Sequence, residues 1–338
     1  MRLWIGLLSF LLLVSGSHCG SEAASARSGT TEIVLVRNLT AKGGIIEFST
    51  RGELAVLTGE SLTVFDPVTG DTLAAIAPPH ILGDEITGRA LAFSNDGGLL
   101  AASTNSSLVV FDLDGGTQIF RKTYPADHVL WSMGALTFAG DSGMLLVAGQ
   151  RSPVVVLDVR TGDIVDSLGG LMDITGISIL PDRSTAALAT FGGEVILWDW
   201  TSGDIVDTLR GCGSWCNAVA STDSMLVAAC GSDSIRVWDS RTLGFRGVIE
   251  RYEFIGQHFS VSASGLLLAG SGSYRTEPGE GMDSSEIILF DLRTLEPVAS
   301  WGAHSSAGIY DTAITPDGDI FATCGYDGAV IVWRRKGL

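Results

Sequence analysis

Short apolar runs recur along the chain, and six of them close on a large residue followed by aspartate. The closures are Phe65-Asp66, Phe111-Asp112, Leu157-Asp158, Trp198-Asp199, Trp238-Asp239 and Phe290-Asp291; a seventh run ends at Trp333-Arg334. They stand 40 to 52 residues apart, a period that fits a unit of four short strands. Within each unit the signals keep one order. A first strand enters a turn at Ser94-Asn95-Asp96-Gly97, Ala139-Gly140-Asp141-Ser142-Gly143, Leu180-Pro181-Asp182 or Thr315-Pro316-Asp317-Gly318, where Asp, Pro and Gly favour tight reversal. A second strand of small residues follows, as in Leu100-Ala101-Ala102-Ser103 and Met225-Leu226-Val227-Ala228. The third, such as Val195-Ile196-Leu197-Trp198, turns through Ser202-Gly203 into a fourth, Asp204 to Leu209. The count is seven units.

From about residue 31 to 334 these units resemble the WD-repeat family of β-propellers, most specifically at Trp198-Asp199, Trp238-Asp239 and in the last unit. The resemblance implies an all-β fold, a seven-bladed β-propeller of four-stranded antiparallel blades. In the last unit His304, Asp311, Thr323 and Trp333 fall where the family places a hydrogen-bonded structural tetrad. Asp311 is then expected to orient His304, with Trp333 anchored through Thr323. Phe or Leu replaces Trp in four units, Arg334 replaces the last Asp, and no other unit carries the full tetrad. The last unit supplies three strands, so its edge needs a partner. Thr31 to Arg37 is strand-like and is expected to provide it, residues 32–36 lying beside 329–333 and closing the ring.

Residues 1–26 read differently. Met1-Arg2 gives a positive start, Leu3 to Val14 is apolar apart from Gly6 and Ser9, and Ala24-Ser25-Ala26 offers a small-x-small cleavage site, the pattern of a secretory signal peptide. About twelve apolar residues span only ~18 Å as a helix, too short to cross a bilayer. The expected division is a signal peptide over 1–26 and a propeller over 27–338, exported to a periplasmic, extracellular or secretory compartment. Lipid anchoring at Cys19 is the alternative, disfavoured by the Gly16-Ser17-His18 that precedes it. The net charge of −17 is unchanged by removing Arg2 and Glu22 with the leader, so no basic face for nucleic acid is expected. No second apolar stretch approaches eighteen residues; no membrane span is expected, and a monomer is.

Searching for chemistry yields little. Gly140-Asp141-Ser142-Gly143 resembles the surroundings of a serine nucleophile but occupies a first-hairpin position, and no His and Asp follow it in a known order. The histidines at 18, 80, 128, 258 and 304 never fall in ligand-like pairs, so no metal and no cofactor is expected. The periodic Asp66, Asp112, Asp158, Asp199, Asp239 and Asp291 suit turns better than calcium. Cys212 and Cys216 lie close enough in sequence to bridge, or both stay free thiols. What remains is a surface. Strands one and three of a meander run the same way, so the connections entering them gather on one face of the disc, and there the chain is irregular. His80, Tyr124, His128, Trp131, Trp215, Tyr274 and Arg275 are the candidate binding residues on that long-loop face. The expected function is a non-enzymatic platform for an unidentified protein partner. The alternative is a propeller enzyme or small-ligand binder using the central channel, of the quinone-dependent or lactone-hydrolysing kind. The sequons at Asn38 and Asn105 matter only in a eukaryotic secretory pathway.

Overall fold

The computed structural model describes residues 31–39, 44–58, 61–76, 90–104, 107–124, 133–149, 152–171, 173–213, 215–231, 234–250, 259–270, 286–304, 308–325 and 327–336. The chain enters through β1 (Glu32–Leu39) and then lays down six sheets in order. Blade 1 is β2 (Ile45–Phe48), β3 (Leu54–Leu57), β4 (Leu62–Phe65) and β5 (Thr72–Ile76); blade 2 is β6 (Ala90–Phe93), β7 (Leu99–Ser103), β8 (Ser107–Asp112) and β9 (Thr117–Thr123). Blade 3 is β10 (Met133–Ala139), β11 (Met144–Gly149), β12 (Val154–Asp158) and β13 (Ile164–Leu168); blade 4 is β14 (Ile174–Ile179), β15 (Thr185–Thr190), β16 (Val195–Asp199) and β17 (Asp204–Leu209). Blade 5 is β18 (Cys216–Ser221), β19 (Met225–Cys230), β20 (Ser234–Asp239) and β21 (Phe245–Glu250); blade 6 is β22 (Phe259–Val261), β23 (Leu266–Gly270), β24 (Glu286–Asp291) and β25 (Glu296–Gly302). The seventh sheet is ordered β1-β28-β27-β26, with β26 (Ile309–Ile314), β27 (Ile320–Gly325) and β28 (Val330–Lys336) from the end of the chain.

The residue pattern follows from stacking these sheets face against face. A middle strand is covered on both sides, so its sequence is continuously apolar or small rather than alternating. Leu54–Leu57, Thr185–Thr190 and Met225–Cys230 are buried along their whole length. Among the described residues the apolar interior divides into seven clusters, one for each pair of adjacent blades. The junction between last and first blades is built like the rest: Ile46, Phe48 and Val56 pack against Ala313, Ala322, Val330 and Val332.

The two free edges of each blade are handled differently. On the outer edge every pairing of third and fourth strand slips by one residue at the same place, directly before the large closing residue; Phe65 faces Thr72 whereas Val64 faces Ala74, leaving Leu73 as the extra residue. The same bulge recurs in all seven blades, including β1 against β28. Bulges twist an edge strand away from further pairing. On the inner edge, side chains of one blade take up backbone groups of the next. Asp311 Oδ2 accepts the Ile46 N–H at 2.8 Å, Ser178 Oγ accepts that of Ser221 at 3.0 Å, and Thr175 Oγ1 donates to the Cys216 carbonyl at 2.6 Å. The aspartate series belongs to the turns: Oδ1 of Asp66, Asp158, Asp199 and Asp239 each accepts two backbone N–H groups two and three residues on. Gly140, Asp141 and Ser142 form a hairpin turn with φ of 57°, 52° and 68°.

Ring closure occurs as expected and extends further. Glu32 faces Lys336, Leu35 faces Trp333 and Leu39 faces Val330, with an ion pair of 3.1 Å between Glu32 and Lys336. Deleting residues 27–40 strips β28 of its neighbour and exposes its edge. Size-exclusion chromatography with light scattering should show aggregation of this truncation, whereas a monomer as heat-stable as the parent would refute closure by β1.

Candidate functional site

In every blade the connection entering the first strand and the turn between the second and third strands emerge on the same side of the disc, because the first and third strands run parallel. On that side, between blades 4 and 5, two aromatic rings stand in solvent. Phe191 tops the β15–β16 turn; its N–H donates to the Asp173 carbonyl at 2.9 Å, and Gly193, with φ 83°, completes the reversal through a 3.1 Å bond to the Thr190 carbonyl. Trp215 lies in the connection from β17 to β18, where its carbonyl accepts the Gly231 N–H at 2.7 Å. The rings stack with centroids 6.4 Å apart and planes 17° from parallel, and they remain 58% and 37% exposed. Their backbones are pinned on both sides, so the pair is presented rather than dangling.

Of the other candidates for this face, Tyr124 is corrected. It is buried in the blade 2–blade 3 cluster with Phe120, Leu136 and Val155, and burial pushes its hydroxyl up to about 12. Sequence alone could not separate a buried ring at the start of a loop from an exposed one. His80, His128, Trp131, Tyr274 and Arg275 lie outside the described residues. Phe191 was missed because it sits in a short turn, Thr190-Phe191-Gly192-Gly193, not in one of the long connections.

Below the same face, blade 7 holds the polar network expected of the tetrad, with one change of member. Trp333 Nε1–H donates to Thr323 Oγ1 at 3.0 Å, His304 Nε2 lies 3.0 Å from that oxygen, and His304 Nδ1 lies 2.9 Å from Asp327 Oδ1. The carboxylate on the imidazole is therefore Asp327, where the sequence reading had placed Asp311. Asp311 is on the innermost strand, and its oxygens take the N–H groups of Ile46 and Thr312. The signal for Asp327 was its place in the Asp327-Gly328 turn before the third strand. One proton arrangement satisfies every bond: the indole donates to the hydroxyl, the hydroxyl to Nε2, and Nδ1–H to Asp327. The histidine in that arrangement is neutral, the form that burial favours by lowering its pKa against the opposing pull of Asp327. Although an Asp-His-Thr series invites comparison with a nucleophile triad, Thr323 has no exposed surface and its oxygen already accepts the Trp333 indole N–H. In blade 4 Leu188 occupies the position of Thr323, and among the described residues Trp198 Nε1 has no hydrogen-bond partner.

The cysteines pair differently from the sequence reading. The bridge joins Cys212 to Cys230, while Cys216 is a buried free thiol. Cys212 and Cys216 are neighbours in sequence, but β18 carries Cys216 into the blade while Cys212 stays in the connection, opposite the end of β19. A second polar feature, half-buried, lies on the innermost strand of blade 1. Alternation along β2 turns Glu47 with Ile45 toward blade 2, and loss of solvent pushes its carboxyl up to about 8; the Phe93 N–H opposes this and the Asp311 carboxylate adds to it. Among the described residues no three His, Cys, Asp or Glu side chains are placed to hold a metal ion, and no helix is long and apolar enough to cross a membrane.

Two segments match the family model described as WD domain, G-beta repeat: residues 203–239 and 295–334. Each begins with the outer strand of one blade and ends with the first three strands of the next, so the sequence repeat interlocks neighbouring blades. The chain is also similar to autophagy-related protein 16 of Arabidopsis thaliana, 24% identical over 248 residues, 59% of this chain and 47% of the relative. It thus spans about half the length of that curated relative. The repeat matches and the seven four-stranded blades together support a WD-repeat β-propeller, an architecture typical of scaffolds for protein–protein interaction.

Two measurements check these polar groups. Thr323→Val leaves the Trp333 indole and His304 Nε2 without their partner, and each buried group left unpaired costs about 1–3 kcal/mol; chemical denaturation should show a loss in that range or above, and an unchanged midpoint would show that the network is not closed. For Glu47 the sign is the reverse of the usual carboxylate case. Between an unfolded value of 4.5 and a folded value of about 8 the folded chain keeps a proton that the unfolded chain has released, so stability falls as pH rises. Glu47→Gln should match the parent near pH 4.5 and melt above it by a margin that grows to pH 8; a margin independent of pH contradicts the upward shift of this carboxyl.

Proposed function

We propose that the chain is a non-enzymatic binding platform, exported behind its N-terminal leader, which docks a protein partner on the long-loop face over blades 4 and 5. The observation that carries this reading is the stacked Phe191–Trp215 pair. Most of the other exposed large apolar side chains, among them Leu73, Ile164, Val165, Ile205, Val206 and Phe245, lie on the outermost strands around the rim. The pair instead sits on the axial face, held by two backbone anchors, and joins adjacent blades. Rigid, partly exposed aromatics of this kind lose little entropy on docking and are enriched at the energetic centres of interfaces. The similarity to an autophagy-related protein supports the scaffold class and leaves the partner's identity open. The net charge of −17 favours a partner with a basic surface, since complementary charge speeds encounter.

The double variant Phe191→Ala/Trp215→Ala tests this. Both rings are exposed enough that its stability should stay within about 1–2 kcal/mol of the parent, below the 3–5 kcal/mol typical of one buried aromatic. In parallel captures from the native secreted fraction it should lose the protein that the parent retains. Retention by the double variant, with loss on altering the charges of the Asp66, Asp158 and Asp199 turns, would move the site to the opposite face.

A further inference from the structure

Beneath Trp215 three cysteines converge between blades 4 and 5. Cys212 and Cys230 are bonded, with Cα atoms 4.5 Å apart. Cys216 is a free thiol with no exposed surface, and it is the register partner of Cys230 across β18 and β19. Register partners of an antiparallel pair project to the same side of the sheet with Cβ atoms ~4.5–5.5 Å apart, within a small adjustment of disulfide spacing. All three belong to one apolar cluster with Ala187, Ala189, Leu197 and Trp238. Cys324, also buried and free, packs at the blade 7–blade 1 junction instead.

We propose that Cys230 is shared between two partners, so that an internal thiol–disulfide exchange moves the bridge from Cys212–Cys230 to Cys216–Cys230 and unties the connection that carries Trp215. In the step, Cys216 gives up its thiol proton to solvent. Its thiolate attacks Cys230 Sγ, a Cys216–Cys230 bond forms as the Cys212–Cys230 bond breaks, and Cys212 leaves as a thiolate that takes up a proton. One disulfide and one thiol are present before and after, so no oxidant or reductant is consumed. Of the two bonding partners of Cys230, Cys212 is the one nearer the surface, at 7% exposure against none for Cys216. Burial pushes the Cys216 thiol up to about 12, which keeps the thiolate scarce at neutral pH and makes the exchange slow and base-dependent.

The two linkages hold different things. Cys212–Cys230 ties the loop ahead of β18 to the end of β19, beside the bond from Gly231 N–H to the Trp215 carbonyl. Cys216–Cys230 would tie strand to strand and leave residues 211–215 held by non-covalent contacts alone. That last consequence bears on binding only if the docking reading is right; the exchange itself does not rest on it.

Trapping tests the exchange in the full chain. The protein is incubated without reductant in iodoacetamide at pH 7, 8 and 9, quenched with acid, and its cysteine peptides are mapped by mass spectrometry. Carboxamidomethyl-Cys212 should accumulate together with a Cys216–Cys230 linkage, about tenfold faster for each pH unit because the attacking thiolate increases in that proportion below its pKa. Cys216→Ala should keep Cys212–Cys230 and reduce Cys212 alkylation at least tenfold. Three results would overturn the proposal: Cys216 alkylated with Cys212–Cys230 intact, no alkylation of either cysteine at any pH, or equal Cys212 alkylation in the variant. None of these depends on whether the Phe191–Trp215 pair binds a partner.

Discussion

A four-stranded sheet that is apolar on both faces cannot stand alone in water, and the architecture depends on meeting that constraint seven times over. Each blade covers one face of the next, which is why the interior is divided into seven inter-blade clusters instead of forming one core. A row of such sheets would leave two uncovered faces at its ends; a ring leaves none. The junction between blades 7 and 1 therefore carries as much as any other, and β1 secures it by completing the sheet that the chain's last three strands begin. The offset of the matched repeats, from the outer strand of one blade to the third strand of the next, applies the same device at two other junctions.

Stacking the faces leaves the edges. The outer edge would be open to pairing with other chains, and the bulge repeated in all seven blades interrupts that ladder at one fixed point. Toward the axis, carboxylate and hydroxyl groups of one blade take up backbone groups of the next, so apolar stacking is supplemented by directional bonds that set the angle between blades. Glu47 and Asp311 are part of this arrangement. The Asp311 carboxylate and partial loss of solvent both raise the Glu47 carboxyl, and the Phe93 N–H lowers it.

Much of this was legible in the sequence, and the misses share a cause. Strand count, blade count, the turn role of the aspartates and the closing strand all follow from periodicity, because burial on two faces and tight reversal each impose a residue type at a fixed interval. The relation of side chains in different strands is not periodic. Asp311 and Asp327 lie 16 residues apart and each precedes an apolar stretch, and only strand position shows that Asp327 meets His304. Cys212 found Cys230 across a sheet rather than Cys216 along the chain. Tyr124 turned inward, and Phe191, in a turn too short to attract notice, supplied the second ring of the exposed pair.

The functional account rests on one face of the disc. Both faces carry turns, but one carries short aspartate-capped reversals whose polar groups are satisfied within the turn, whereas the other carries the connections between blades and the stacked rings. Hydrogen–deuterium exchange on the parent chain, free and in the complex eluted from capture, reads the bound face directly. Slowed exchange on binding at residues 190–194 and 211–217 is the predicted footprint. Protection confined to the opposite turns, at 66–71, 158–163 and 199–204, would contradict the assignment.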